Sequence, residues 1–215
     1  MANKNKISFK IPSTEEFEIL SNFKYKPFYE FGISEIMMLS GKKSKPWVFN
    51  TLSKFENNGL LVKRSKGNMN LYKAAMKNPS LVNHFIFLES LKLQKMKKNE
   101  IMSNFIEKIP MKNYCLVVFG SYAEGKEKKD SDIDICVLVE SINNSKKLKP
   151  YINDVKIKSR ITIHDHIITF EEFVEMLLND EENLGKQIYK NHILAFNGGI
   201  FYELVKEANK HGFDG

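Results

Sequence analysis

An apolar run, Leu116-Val117-Val118-Phe119, ends in Gly120-Ser121, and ten residues later the chain reads Asp132-Ile133-Asp134-Ile135. No other feature constrains the fold as much, because it demands a strand, a tight turn and a second strand. Side chains alternate along a strand, so Asp132 and Asp134 project to one side while Ile133, Ile135 and Val137 project to the other. Two ionised carboxylates at that spacing repel unless a cation or a donor lies between them. Glycine lets the backbone approach a phosphate, and the serine hydroxyl can donate to its oxygens. The combination predicts a chelated divalent cation beside a nucleoside triphosphate. Lys126, with Lys128 and Lys129 in the intervening loop, is placed to meet triphosphate charge. Taken singly, Gly-Ser is an ordinary strand-ending turn and the Asp pair a solvent-facing strand edge; their spacing carries the expectation.

Around this stretch the periodicity is that of a small α/β unit. Tyr114 to Phe119 and Ile133 to Val139 read as strands, and residues 158–169 give a third alternating run. Phe170 to Leu178 is an amphipathic helix. A helix over Leu184 to Asn191, a short strand over Ile193 to Phe196 and a helix over Gly199 to Asn209 close the chain.

The first half reads differently. Ser13-Thr14-Glu15-Glu16 opens a helix that continues through Phe17, Leu20 and Phe23. Ser34 caps a short helix that stops at Ser40-Gly41. A further helix begins near Ser44-Lys45-Pro46, runs through Val48, Leu52 and Phe55, and ends at Asn57-Asn58-Gly59. Leu60 to Arg64 and Met69 to Lys73 flank a Gly67-Asn68 turn as a hairpin. After Asn78-Pro79 a long helical stripe, Leu81, Phe85, Leu88 and Leu91, precedes Pro110. It reads as one or two connecting helices whose apolar face suits either dimerisation or core packing.

Charge follows the same division. Residues 1–110 hold 19 Lys+Arg against 9 Asp+Glu, whereas the remainder holds 14 against 17. A basic first half suggests a polyanionic partner, with a solvated Lys-rich surface as the plain alternative. The 16 Phe residues and 42% hydrophobic content place the chain among proteins with a packed core. The apolar runs are strand-sized, and the first residues lack the apolar core of a signal peptide, so a cytoplasmic location with no membrane partner is expected. Cys115 and Cys136 sit in strand patterns, where a buried reduced thiol is the ordinary reading.

Helix, short helix, turn, helix and basic hairpin over residues 13–76 resemble a winged helix-turn-helix domain. That resemblance implies contact with double-stranded DNA through Lys45, Asn50 and Lys54 on the second helix of the motif and Lys63, Arg64 and Lys66 on the hairpin. The protein-binding use of the same fold is its alternative.

The stretch GSYAEGKEKKDSDIDICV resembles the signature of the nucleotidyltransferase superfamily of DNA polymerase beta and kanamycin nucleotidyltransferase, in particular its minimal members. The resemblance, covering roughly residues 112–205, implies that Gly120 and Ser121 hold the triphosphate. It implies that Asp132 and Asp134 bind Mg²⁺ at a two-metal site, with ATP or another nucleoside triphosphate as substrate. Active members usually add a third carboxylate on a later strand; Asp165 is the candidate, on the face shared with Ile161, Ile163 and Ile167. The flanking His164 and His166 are i, i+2 neighbours that suit a metal, but with no further His or Cys to join them they read as the polar surface of an edge strand.

The chain is therefore expected to combine a winged helix-turn-helix domain over 1–78, a helical linker over 79–110 and a nucleotidyltransferase domain over 111–215. The fold class is α+β / α/β, with a small mixed sheet flanked by helices. The expected reaction moves a nucleoside monophosphate to a hydroxyl acceptor, on a protein in the manner of the antitoxin-like minimal members. A non-catalytic nucleotide-sensing regulator and a tRNA- or antibiotic-modifying enzyme are the rivals.

Overall fold

Capping chemistry sets the first helix, α1 (Thr14–Tyr25), in the computed structural model, which describes residues 12–159 and 161–215. Ser13 accepts from the Glu16 N–H while Glu16 reaches back to the Ser13 N–H, a reciprocal capping box. Strand β1 (Phe31–Gly32) runs straight into α2 (Ile33–Ser40). The expected Ser34 cap does not form: Gly32 occupies the N-cap position without a side-chain bond. Gly41, with φ +65°, ends α2 in the left-handed conformation that glycine tolerates best. In α3 (Lys45–Asn57) the Ser44 hydroxyl accepts from the Trp47 N–H and Pro46 lies in the first turn.

The hairpin β2 (Leu61–Lys66) and β3 (Met69–Ala74) pairs in antiparallel register from Leu61↔Ala74 to Lys66↔Met69. β1 adds to β3 through Phe31↔Tyr72, giving a three-stranded sheet of order β1-β3-β2. The two-residue β1 is too short for any period to reveal it.

Next come α4 (Pro79–Lys95) and α5 (Glu100–Lys108). The second half contains β4 (Tyr114–Phe119), α6 (Gly120–Glu124), β5 (Ile133–Val139), α7 (Ile142–Lys158), β6 (Ile163–Thr169), α8 (Phe170–Leu178), α9 (Leu184–Lys190), β7 (Ile193–Phe196) and α10 (Gly198–Lys210). Its sheet has the order β6-β5-β4-β7, with β5 and β6 parallel and β4 antiparallel to both neighbours. The mixed sheet flanked by helices is the expected class.

α7 lies where the sequence pattern predicts nothing. Its buried residues are only Leu148, Ile152 and Val155, and Pro150 sits inside it, so the helical period is thin and interrupted. By taking up residues as far as Lys158 it also delays the third strand, which begins at Ile163 rather than at 158.

The alternating β4 and β5 side chains feed two cores. Cys115, Val117 and Phe119, with Cys136 and Leu138, join a cluster that includes Phe173, Phe201 and Tyr202 and continues through Leu81 and Phe85 of α4 to Phe23, Leu52 and Phe55 in the first half. Leu116, Val118, Ile135 and Val137 face Met102 and Phe105 of α5 and Leu148 and Ile152 of α7. Of the two uses open to the α4 stripe, core packing is the one observed. Among the described residues no helix is long and apolar enough to cross a membrane.

Candidate functional site

β4 ends and β5 begins at the same end of the sheet, in its central antiparallel pair, where Phe119 pairs with Asp134. Gly120, the next residue, has φ +65°, a conformation L side chains rarely adopt. A β-carbon there would overlap Oδ2 of Asp134 and lie 3.2 Å from its Cγ. The turn thus brings bare backbone against a carboxylate, and only glycine permits it. Ser121 follows at the start of α6, and Gly125 closes that helix in the left-handed conformation.

Asp132 and Asp134 share a face, as alternation predicts. His164, paired with Asp134 across the parallel β5–β6 register, reaches both carboxylates. Its Nδ1 stands 3.3 Å from Oδ1 of Asp134 and its Nε2 3.8 Å from Oδ2 of Asp132. All three side chains are open to solvent on their outer side, with 47% exposure for Asp132, 30% for Asp134 and 56% for His164.

Asp165 is not brought to this pair. It is the register partner of Ile135, whose side chain lies in the opposite core, and it ion-pairs with Lys156 of α7. Alternation decides this: a residue one position from His164 must point through the sheet. His164 was visible in the sequence only as half of an i, i+2 histidine pair, and its partner His166 packs near the Phe119 ring, 5.8 Å between centroids.

The loop joining Ser121 to Asp132 is fastened at several points. The Tyr122 hydroxyl donates to the Ser131 carbonyl (3.4 Å), the Lys128 N–H donates to the Ser131 hydroxyl (2.8 Å), and Lys98 Nζ donates to the Lys129 carbonyl (3.3 Å). Glu127 pairs with Lys97. Lys126 is 76% exposed and pairs at 2.9 Å with Glu124, so it stands at the rim of the loop.

The donor set fits a divalent cation: two carboxylates on one face, open to water, beside backbone that comes close because it carries no β-carbon. Among the described residues, however, no group of three or more His, Cys, Asp or Glu side chains is arranged to hold a metal ion.

On the first half, three of the six expected DNA contacts are engaged internally. Lys54 binds Glu16, 2.7 and 2.9 Å to its two carboxylate oxygens; Lys63 binds Glu56 at 3.0 Å; Arg64 binds Glu30. Partial burial works to raise the Glu16 pKa, but Lys54 and the Ser13 cap hold it below the ordinary value. Lys45, Asn50 and Lys66 are exposed and pair with no carboxylate among the described residues.

Two buried charges tie the halves together. Lys24 of α1 ion-pairs with Glu89 of α4, and Glu89 Oε2 also accepts the Leu194 N–H (3.0 Å) from β7. His192 is buried beside them, its Nδ1 near the Ile188 and Tyr189 carbonyls and its Nε2 3.5 Å from Glu89. Burial opposes ionisation of Glu89, yet His192 and Lys24 hold its pKa below the ordinary value. Desolvation pushes His192 down to about 4, against the pull of Glu89.

A solved toxin–antitoxin structure with AMP-PNP is similar to this chain at 18% identity and a TM-score of 0.34, over 54% of this chain and 89% of that one. No curated protein matches the sequence significantly. The model of the nucleotidyltransferase domain matches residues 85–192, just over half of the chain, and its span runs from the middle of α4 through the turn, both carboxylates and β6. With that match laid over the Gly-Ser turn and the paired aspartates, the chain belongs to the nucleotidyltransferase domain family.

Proposed function

We propose that this chain is a divalent-cation-dependent nucleotidyltransferase that moves a nucleoside monophosphate from a triphosphate, with ATP as the first candidate, to a hydroxyl acceptor. The observation that carries the reading is the fit between Gly120 and Asp134, which sets backbone without a side chain directly against one carboxylate of the Asp132–Asp134 pair. Asp132 and Asp134 would hold the cation, which when bound would polarise the phosphoryl oxygens. Gly120 and Ser121 would orient the triphosphate, with Lys126 meeting its outer charge. The acceptor oxygen forms a bond to the α-phosphorus as the bond from that phosphorus to the bridging oxygen breaks. Pyrophosphate leaves with the electron pair, and the hydroxyl proton is released. The test is incubation with α-labelled ATP, Mg²⁺ or Mn²⁺ and candidate acceptors, this protein and a partner protein among them. Label transfer by the wild type and none by Asp132→Asn supports the reading; equal transfer by both overturns it.

We further propose that residues 1–78 are a winged helix-turn-helix domain that tethers the site to double-stranded DNA, 79–110 a linker and 111–215 the catalytic domain. The order α1–β1–α2–α3–β2–β3 supports this, with α3 presenting Lys45 and Asn50 and the hairpin presenting Lys66. A salt-dependent DNA shift abolished by Lys45→Ala with Lys66→Ala is the corresponding test.

A second reading, a nucleotide-sensing regulator without turnover, is favoured by one observation: Asp165 lies across the sheet, committed to Lys156. Cation-dependent ATP binding with no label transfer to any acceptor would select it.

A further inference from the structure

Resting on the nucleotidyltransferase reading, we infer that Lys97 and Lys98 are positioning residues of the site. From the junction of α4 and α5 they hold the loop between Ser121 and Asp132 in the form that receives the triphosphate. The junction is strained. Among the described residues, Lys98 (φ +62°) and Asn197 (φ +51°) are the only ones other than glycine with a positive φ. Asparagine tolerates that region, whereas a lysine there crowds its β-carbon against a carbonyl oxygen. Such a conformation persists only where the surrounding contacts fix it.

Both lysine side chains lead to one loop. Lys98 Nζ donates to the Lys129 carbonyl (3.3 Å) and lies 5.9 Å from the centre of the Tyr122 ring. Lys97 pairs at 3.2 Å with Glu127. Neither a helix nor a strand sends two consecutive side chains to one place, since they diverge by about 100° in the first and by about half a turn in the second. The left-handed residue is the departure that lets both arrive. The loop itself is otherwise open, with Glu124, Gly125, Lys126, Lys128, Lys129 and Asp130 exposed. It carries Lys126 and ends on Asp132, so a triphosphate bound between them needs it ordered. Order imposed beforehand is a cost that binding no longer meets, and the two lysines therefore act on affinity for the triphosphate.

The loop contains its own reporter, because trypsin cuts after Lys126, Lys128 and Lys129 when the backbone there is free. The full-length protein is treated briefly with trypsin under native conditions, and cuts at those three lysines are counted by mass spectrometry. ATP binding with Mg²⁺ is measured by calorimetry on the same samples. Lys98→Gly removes the tether and the strain together. Its loop should be cut about three- to tenfold faster, the weight of one net hydrogen bond, and ATP should bind more weakly by a like factor. Its melting temperature should hold or rise, because glycine suits the backbone. A lysine with a merely structural role would instead lower affinity and melting temperature together. Lys97→Glu should loosen the loop in the same way, and adding Glu127→Lys should restore both the cleavage rate and the affinity. Unchanged cleavage in Lys98→Gly, or faster cleavage with unchanged ATP affinity, overturns the inference and leaves the nucleotidyltransferase reading intact. A wild type that binds no ATP overturns that reading itself.

Discussion

Gly120 and Asp134 are locked together by the absence of a β-carbon. With φ at +65° and the Asp134 carboxylate directly over the position a side chain would take, Gly120 is fixed by both backbone and space. The two effects are separable. Gly120→Ala suffers the left-handed backbone penalty of about 1–2 kcal/mol and must also push the Asp134 carboxylate aside. The double variant with Asp134→Ala removes the second cost only. Chemical denaturation should show the double variant less destabilised than the sum of the singles, and calorimetry should show that Gly120→Ala alone already weakens cation and nucleotide binding.

The placement of Asp165 makes a contrasting prediction. Asp165→Asn frees Lys156, a partly exposed lysine, and should lower stability by about 1–2 kcal/mol. Its effect on nucleotide transfer should stay well below the roughly 100-fold loss that removal of a group acting directly on a proton produces. Asp132→Asn and Asp134→Asn should leave stability nearly unchanged and abolish transfer. Single-turnover rates measured alongside melts separate the two behaviours.

How far the sequence shows this arrangement depends on which forces were local. The Gly-Ser turn, the aspartate pair and the strands that carry them are written in alternation and turn chemistry, and the structure puts them together as the spacing predicts. Asp165 and His164 are a different matter. Alternation puts them on opposite faces, but which face meets the aspartates depends on how β6 registers against β5, and nothing local encodes that pairing. α7 has no clear sequence signature because Pro150 interrupts a period carried by few buried residues. The Lys24–Glu89–His192 cluster joins α1, α4 and the start of β7, segments far apart in sequence, so no motif announces it.

That cluster predicts acid sensitivity. His192 has a folded pKa of about 4, below its ordinary 6.5, so the unfolded chain takes up its proton first. Its contribution is fully present above pH 6.5 and is lost as the pH falls from there toward 4, on the order of 3 kcal/mol in all. Glu89, also held below its ordinary value, adds a loss of the same sign at lower pH. The groups facing His192 are Glu89 and Lys92 from α4 and Lys24 and Tyr25 from α1. Urea unfolding between pH 7 and 5 should show the decline in the wild type and a flatter profile in His192→Gln.

Breaking the buried pair is predicted to be worse than removing it. Glu89→Leu alone leaves the Lys24 ammonium buried at 3% exposure and should destabilise by about 3–5 kcal/mol. Lys24→Met with Glu89→Leu should recover most of that, although the Leu194 N–H loses its acceptor.

Lys54 separates stability from DNA binding on α3. The winged resemblance points it at DNA, yet it binds the capping glutamate of α1, whose carboxylate also satisfies the Ser13 N–H. Lys54→Ala should lower stability by up to about 1 kcal/mol, and less at high salt, because the pair is partly exposed. If α3 contacts DNA, Lys45→Ala should reduce the salt slope of binding by about one unit while Lys54→Ala leaves it unchanged. Equal slopes for wild type and Lys45→Ala would place the phosphate contacts elsewhere on the chain, and a fluorescence-anisotropy titration at several salt concentrations reads the difference directly.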